Sequence, residues 1–352
     1  MLNIVEILQL AAAKNGSDIL LVPGSQVSMK IAGLVEPIMD GVLKPDDTMQ
    51  LLSQVYGLDH NRSLDHLMSH GDDDFSFSVR GVGRFRCNAY MQRSSMAMVL
   101  RVVSFELPRA EEFHIPKEIV ALSRIQKGLV LVTGPAGSGK STTLACIIDR
   151  INEDFQDHII TIEDPIEFIH KHKHSIVSQR EIAQDTDNYA TALRAALRQA
   201  PDVILVGEMR DFETIQTAVT AAETGQLILS TLHTVGAAKT IDRIIDVFPA
   251  NQQQQIRIQL SMVLRAVVSQ QLIPAIGGGR EPAFEIMLVN SAIQNMIRDG
   301  KVHQMDNVIY AGADQGMRTM DGDLQRLYEA GRITRENALL YASNADILAK
   351  KI

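Results

Sequence analysis

The chain has 352 residues, 45% of them hydrophobic and 22% charged, with a formal net charge of −8. That is the composition of a globular protein with material for about two domains, and the acidic balance excludes broad coating of nucleic acid, which needs a basic footprint. Cys87 and Cys146 are too few for a four-cysteine zinc module and read as core residues of a reducing compartment. No apolar run reaches the roughly 18 residues of a membrane span, and the N-terminus shows no basic-then-apolar leader. The expectation is a cytoplasmic protein that meets a membrane only through a partner.

In chain order, Ile4, Ile7, Leu8 and Ala11 stand at helical spacing behind Asn3 as a cap. Strands are expected over 17–22 and 27–31, with Ala32-Gly33 turning the chain into another strand near Leu34. Helices follow over 45–56 and 59–69, then strand-like stretches over 75–79, 84–92 and 96–103. A helix, a meander, two helices and a second meander make an α+β domain over residues 1–103, the size of a PAS-like module. Residues 104–116, with two prolines, three glutamates and no periodicity, read as a linker. The remainder, 117–352, alternates strands near Gly128, His158, Val203 and Gln226 with helices near Ser141, Tyr189, Asp211 and Gly236. This predicts an α/β domain with a parallel sheet and helical crossovers. A long helix is expected over 252–269, a hairpin pairing 271–273 with 283–287, and short helices from about residue 290 to the end.

The second domain opens on a phosphate-binding loop. An apolar strand over 129–132 leads into Gly134, Pro135, Ala136, Gly137, Ser138, Gly139, Lys140, Ser141 and Thr142, which satisfies G-x-x-x-x-G-K-[ST] before a helix. Glycines let successive N–H groups face a phosphate, Lys140 adds a point charge on the β/γ-phosphates, and the Ser141 hydroxyl can ligate magnesium. The helix that follows adds its dipole to the anion site. The implied ligand is a nucleoside triphosphate with Mg2+.

Parallel strands deliver their C-terminal ends to the crevice that holds this loop. The strand near His158 ends in Glu163, Asp164, Pro165 and Glu167, and Glu163 is the choice for the general base that orients water. The strand near Val203 resembles a Walker B strand in which Gly207 stands where many such enzymes have Asp, leaving Glu208 to serve magnesium, through water. Asp211 suits the cap of the next helix. The strand near Gln226 ends at His233, placed to donate to a γ-phosphate. Arg194 and Arg198, four apart, would share one helix face, and Arg86 and Arg101 lie on strands of the first domain. His170, His172 and His174 alternate with lysines as if along one side of an edge strand, a spacing that could hold zinc.

With these motifs assembled, the chain resembles the secretion ATPase superfamily, and more narrowly the PilT family of type IV pilus retraction ATPases. The specific strings are the phosphate loop, Thr-Ile-Glu-Asp-Pro-Ile-Glu-Phe (161–168), Gln179-Arg-Glu, Ala-Leu-Arg-Ala-Ala-Leu-Arg (192–198), Val-Gly-Glu-Met-Arg-Asp (206–211), Ser-Thr-Leu-His-Thr (230–234) and Ala-Lys-Thr-Ile-Asp-Arg (238–243). Residues 292–301 are similar to a signature that the family uses for retraction, with Gln294, Met296 and Asp299 departing from it. The resemblance implies an ATP-hydrolysing, hexameric motor built from a PAS-like and a RecA-like domain. It also implies an inner-membrane platform protein as partner and the pilin fibre as indirect load, with no nucleic acid and no direct membrane insertion. By position, Arg86 and Arg101 match arginines of the first domain that reach the nucleotide, and Arg194 and Arg198 match an interfacial pair. The other readings are a pilus-assembly or type II secretion ATPase, which usually carries a further domain and a four-cysteine module, and a non-hydrolysing ATP-binding partner of a motor.

Overall fold

A computed structural model describes residues 2–14, 16–31, 34–58, 62–103 and 107–352. The expected turn at Ala32-Gly33, residues 59–61 of the helix expected over 59–69 and residues 104–106 of the expected linker lie outside the described residues. The chain divides into two compact units, Met1–Glu106 with Glu167–Ile169, and Leu107–Ile166 with His170–Ile352.

The first unit begins with α1 (Ile4–Ala13), whose Asn3 cap accepts a hydrogen bond from Val5 N at 2.9 Å. There follow β1 (Asp18–Leu21), β2 (Gln26–Ile31), β3 (Leu34–Val42), α2 (Pro45–Leu58), α3 (Asp65–His70), β4 (Asp72–Val79), β5 (Gly83–Gln92) and β6 (Ser95–Val103). The two meanders merge into one antiparallel sheet, ordered β3-β2-β1-β6-β5-β4, because β1 pairs with β6. Strand alternation then sorts the side chains. Ile19, Leu21, Phe85, Cys87, Met98 and Leu100 turn inward and pack with Ile7, Leu8, Leu51 and Val55 of the helices. Arg86 and Arg101 alternate with these inward residues and are register partners across β5 and β6.

The second unit contains α4 (Lys117–Val120), β7 (Gly128–Thr133), α5 (Lys140–Asp154), β8 (His158–Glu163), β9 (Ile176–Glu181), α6 (Tyr189–Ala196), β10 (Val203–Val206), α7 (Phe212–Glu223), β11 (Leu227–Leu232), α8 (Ala237–Asp246), α9 (Gln253–Val263), β12 (Leu264–Pro274) and β13 (Arg280–Leu288). Its sheet runs β13-β12-β7-β11-β10-β8-β9, parallel except for β13. Leu129, Leu131, Ile160, Ile162, Ile204 and Val206 pack on one face with α6 to α9, and Val130, Val132, Ile159, Leu205 and Leu229 on the other with α4 and α5. Burial on both faces is why these strands are unbroken apolar runs. Five helices close the unit: α10 (Ser291–Asp299), α11 (Met305–Ala311), α12 (Met320–Glu329), α13 (Arg335–Leu340) and α14 (Ala345–Leu348).

The long helix expected over 252–269 is instead α9 followed directly by β12. Helical conformation stops at Val263, and Leu264 is already extended, with φ −63° and ψ 131°. Val267 and Val268 then pack into the cores on opposite faces of the sheet, which a strand allows for adjacent residues. A doubly buried strand lacks alternation, so its apolar run is indistinguishable from a helix continuation in sequence. The histidine segment also differs. His170, His172 and His174 precede β9 and lie in neither helix nor strand.

Candidate functional site

Three strands of the second unit deliver their C-terminal ends to one place. Beyond β7 the chain turns through Gly134, at φ +142°, where an added Cβ would sit 2.1 Å from the carbonyl oxygen of Gln270 on β12. Only glycine fits so close a backbone approach. Pro135, Ala136 and Gly137 are exposed, Ser138 is buried, and α5 starts at Lys140 behind Gly139 in the left-handed region. The first-turn N–H groups of α5, from Lys140, Ser141 and Thr142, therefore belong to the loop's concavity, where the helix itself offers no acceptors. Thr143 Oγ1 donates to Gln270 Oε1 at 2.7 Å and ties the root of α5 to β12. The buried Thr133 Oγ1 and Ser138 Oγ have no hydrogen-bond partner, so the loop carries donor capacity that its own fold does not use. Such a cradle fits the phosphates of a nucleotide.

Lys140 Nζ lies 2.9 Å from the carbonyl oxygens of Gly134 and Pro135 and 3.4 Å from His233 Nδ1. His233 Nε2 is 3.1 Å from Glu208 Oε1. An ammonium can only donate, so these contacts suit the imidazole tautomer that accepts at Nδ1 and donates from Nε2 to the carboxylate. Lys140, His233 and Glu208, 93 residues apart at the widest in sequence, thus form one chain across the strand ends. Burial alone would raise the Glu208 carboxyl, but its hydrogen bond from Arg210 and the neighbouring His233 hold it below the usual carboxylate range. Glu208, ionised and linked through His233 to Lys140 at the start of α5, and the Ser141 hydroxyl are hard oxygen donors of the kind magnesium takes.

Gly207, where an aspartate was the comparison in sequence, has a packing explanation. A Cβ there would lie 2.9 Å from Tyr189 Oη and 3.2 Å from Ile162 O. Tyr189 fills the space, and burial together with Asp164, Glu208 and Glu163 pushes its phenol well above the ordinary range. Asp211 caps α7 by accepting from Thr214 N at 2.9 Å.

Glu163 ends β8, half-buried, and its Oε1 accepts from Thr161 Oγ1 at 2.6 Å and from Gln179 Nε2 at 3.2 Å. The peptide bond Asp164-Pro165 is cis. Arg194, on α6, pairs with Glu213 at the start of α7. Arg198 does not share a helix face with it. The helix ends at Ala196, and Arg198 N bonds to Ala195 O in a turn that leads through Ala200, at φ +49°, into Pro201. Proline at 201 disfavours helix at the residue before it. In the first unit, Arg86 grips Asp74 through two nitrogens, and Arg101 Nε donates to Asp18 Oδ1 at 2.8 Å. Arg101 keeps 66% of its side chain exposed, so its guanidinium has faces left to offer.

The histidine trio does not converge. His172 Nδ1 accepts from Val177 N at 3.0 Å, His174 Nδ1 meets Glu153 O, and His170 is buried. No group of three metal-ligating side chains occurs among the described residues. In α10, Ile293 and Ile297 are wholly buried core residues and Arg298 is exposed. Gln270, Tyr189, Thr161, Gln179 and Arg210 were not singled out as site residues from sequence. The polar run Ser269-Gln270-Gln271 set between the apolar Ala266–Val268 and Leu272–Ile273 was the available signal for Gln270.

Residues 4–281 match the family model of the Type II/IV secretion system protein. The chain belongs to that family. It is 46% identical over 337 residues to the type IV pilus retractation ATPase PilT of Pseudomonas aeruginosa, covering 96% of this chain and 97% of that protein. It is 48% identical over 292 residues to a twitching motility protein of Neisseria gonorrhoeae, covering 83% and 78%. A crystal structure of the pilus retraction motor PilT with bound ADP matches with a TM-score of 0.91 at 46% identity, over 99% of this chain and 100% of that one. As a Type II/IV secretion system family member of this kind, the chain has the α/β fold of a RecA-like nucleotide-binding domain preceded by a smaller α+β domain. No helix among the described residues is long and apolar enough to cross a membrane.

Proposed function

We propose that this chain is an ATP-hydrolysing motor that powers type IV pilus retraction. The observation that carries this is the meeting of Lys140, His233 and Glu208 at the strand ends, in a chain similar to the PilT retraction ATPase along almost all of both lengths. In this reading Gly134 through Thr142 hold the phosphates, with Lys140 facing the β/γ-phosphates. Ser141 and Glu208 would hold Mg2+, which would neutralise the phosphate oxygens of ATP, the source of the scissile phosphoryl group. Glu163 accepts the proton of the attacking water, and His233 donates toward the γ-phosphate end of the site. Arg86 and Arg101 act as guanidinium donors from the first domain, and Arg194 and Arg198 as subunit-interface residues.

The motor works as a homohexamer of chains organised as a PAS-like module (1–103), a connecting stretch (104–116) and an ATPase domain (117–352). It acts on the pilin fibre indirectly, through a membrane platform protein, from the cytoplasmic face of the inner membrane. The purified protein should hydrolyse ATP. Lys140→Ala should lose both nucleotide binding and turnover, whereas Glu163→Gln should still bind ATP without hydrolysing it. Deleting the gene should leave cells with surface pili that no longer retract. Wild-type turnover by Glu163→Gln would remove the base assignment, and normal retraction in the deletion strain would remove the motor assignment.

A further inference from the structure

Two side chains converge on a single oxygen of Glu163, and one comes from a neighbouring strand. Gln179 on β9 is the register partner of Thr161 on β8. Residues two apart on a strand share a face, so Thr161, Glu163 and Gln179 emerge on the same side of the sheet. Thr161 Oγ1 and Gln179 Nε2 both donate to Glu163 Oε1, at 2.6 and 3.2 Å. The Gln179 amide is held in this sense, because its Oε1 accepts the backbone N–H of His170 at 2.8 Å. With the oxygen committed to His170, the NH2 group must face the carboxylate.

We propose that Gln179 is a positioning residue for Glu163: it sets the plane of the carboxylate and, by donating to it, favours the ionised form that can accept a proton. The inference rests on Glu163 being the base. The contacts that hold the phosphate loop run through Lys140, Thr143 and Gln270, whereas Gln179 acts on the carboxylate at the end of β8. Its effect should therefore fall on kcat rather than on the KM for ATP. Facing this carboxylate among the described residues are Tyr189, on which Glu163 acts together with Asp164, Glu208 and Arg210, and Glu181, its register partner on β9, which accepts from Ile166 N.

The test uses the full chain with Gln179→Glu, Gln179→Leu and Glu163→Gln, each measured for kcat, KM, the pH dependence of kcat and thermal melting. Gln179→Glu keeps the acceptor for His170 N and turns a second carboxylate on Glu163. The acid limb of its kcat profile should move up by about one pH unit or more, since like charges so close raise a carboxyl pKa. Gln179→Leu should lower kcat, by up to about 100-fold if the carboxylate swings out of line, with KM within about twofold. If both variants melt like the wild type and keep its kcat and acid limb, the inference fails. The two readings separate cleanly. An inert Glu163→Gln together with wild-type behaviour in both Gln179 variants removes the positioning role alone, while an active Glu163→Gln removes the base and this inference with it.

Discussion

His170 offers a quantitative check on how the second unit is packed. Its residue is only 8% exposed, and its Nδ1 is buried without a hydrogen-bond partner. Burial pushes the imidazole down to about 4, with nearby Asp149 working against that fall and Lys173 adding to it. In the unfolded chain the same ring titrates near 6.5. As pH falls from 6.5 towards 4, the unfolded chain takes up a proton that the folded chain refuses. Stability is therefore fully present above about pH 6.5 and drains away as pH falls through that window. The complete loss is roughly 3 kcal/mol, of which about 2 kcal/mol has gone by pH 5.

Removing the ring should remove this part of the acid sensitivity. His170→Leu should lose about 2 kcal/mol less than the wild type between pH 7.5 and pH 5, equivalent to roughly 4–8 °C in the melting of a unit this size. Calorimetric melts of both proteins at the two pH values give the difference directly, and it does not depend on which protein is the more stable at pH 7.5. An identical acid loss in both would mean that His170 is solvated or protonated in the folded state, contrary to its burial.

Arg86→Ala and Arg101→Ala should each lower kcat strongly, since an arginine delivered to a γ-phosphate contributes about 10³- to 10⁵-fold in other P-loop enzymes. Melting temperature and native mass should stay close to wild type, because the ion pairs lost, with Asp74 and Asp18, are partly exposed and worth little. Unchanged ATPase rates in both would reduce them to surface charge. In α10, Ile297→Ala should destabilise the second unit by about 2–5 kcal/mol and lower ATPase activity with it. Arg298→Ala, at an exposed position, should leave melting and ATPase unchanged and impair only pilus retraction in cells. Equal losses of stability in the two variants would refute this division of the helix into a packed face and a contact face.

Much of the site was legible from sequence because its parts are local. A phosphate loop is contiguous, and its glycines, lysine and flanking apolar strand carry their meaning without partners. Glu163, Glu208 and His233 were legible for a related reason: each lies at or within two residues of the C-terminal end of a strand, and parallel strands in one sheet must end on the same side. Register and chain exit lay beyond the sequence. Gln179 reaches Glu163 only because β9 pairs with β8 in one particular alignment, and Gln270 lies behind Gly134 only because β12, indistinguishable from a helix by its apolar run, inserts beside β7. Arg198 left the helix face because the chain turns ahead of Pro201, and the three histidines separated because the strand begins after them rather than through them. Local chemistry is written along the chain, where three or four residues suffice to specify it. Which side chains meet depends on pairings between distant strands, and those are decided by burying both faces of the sheet at once.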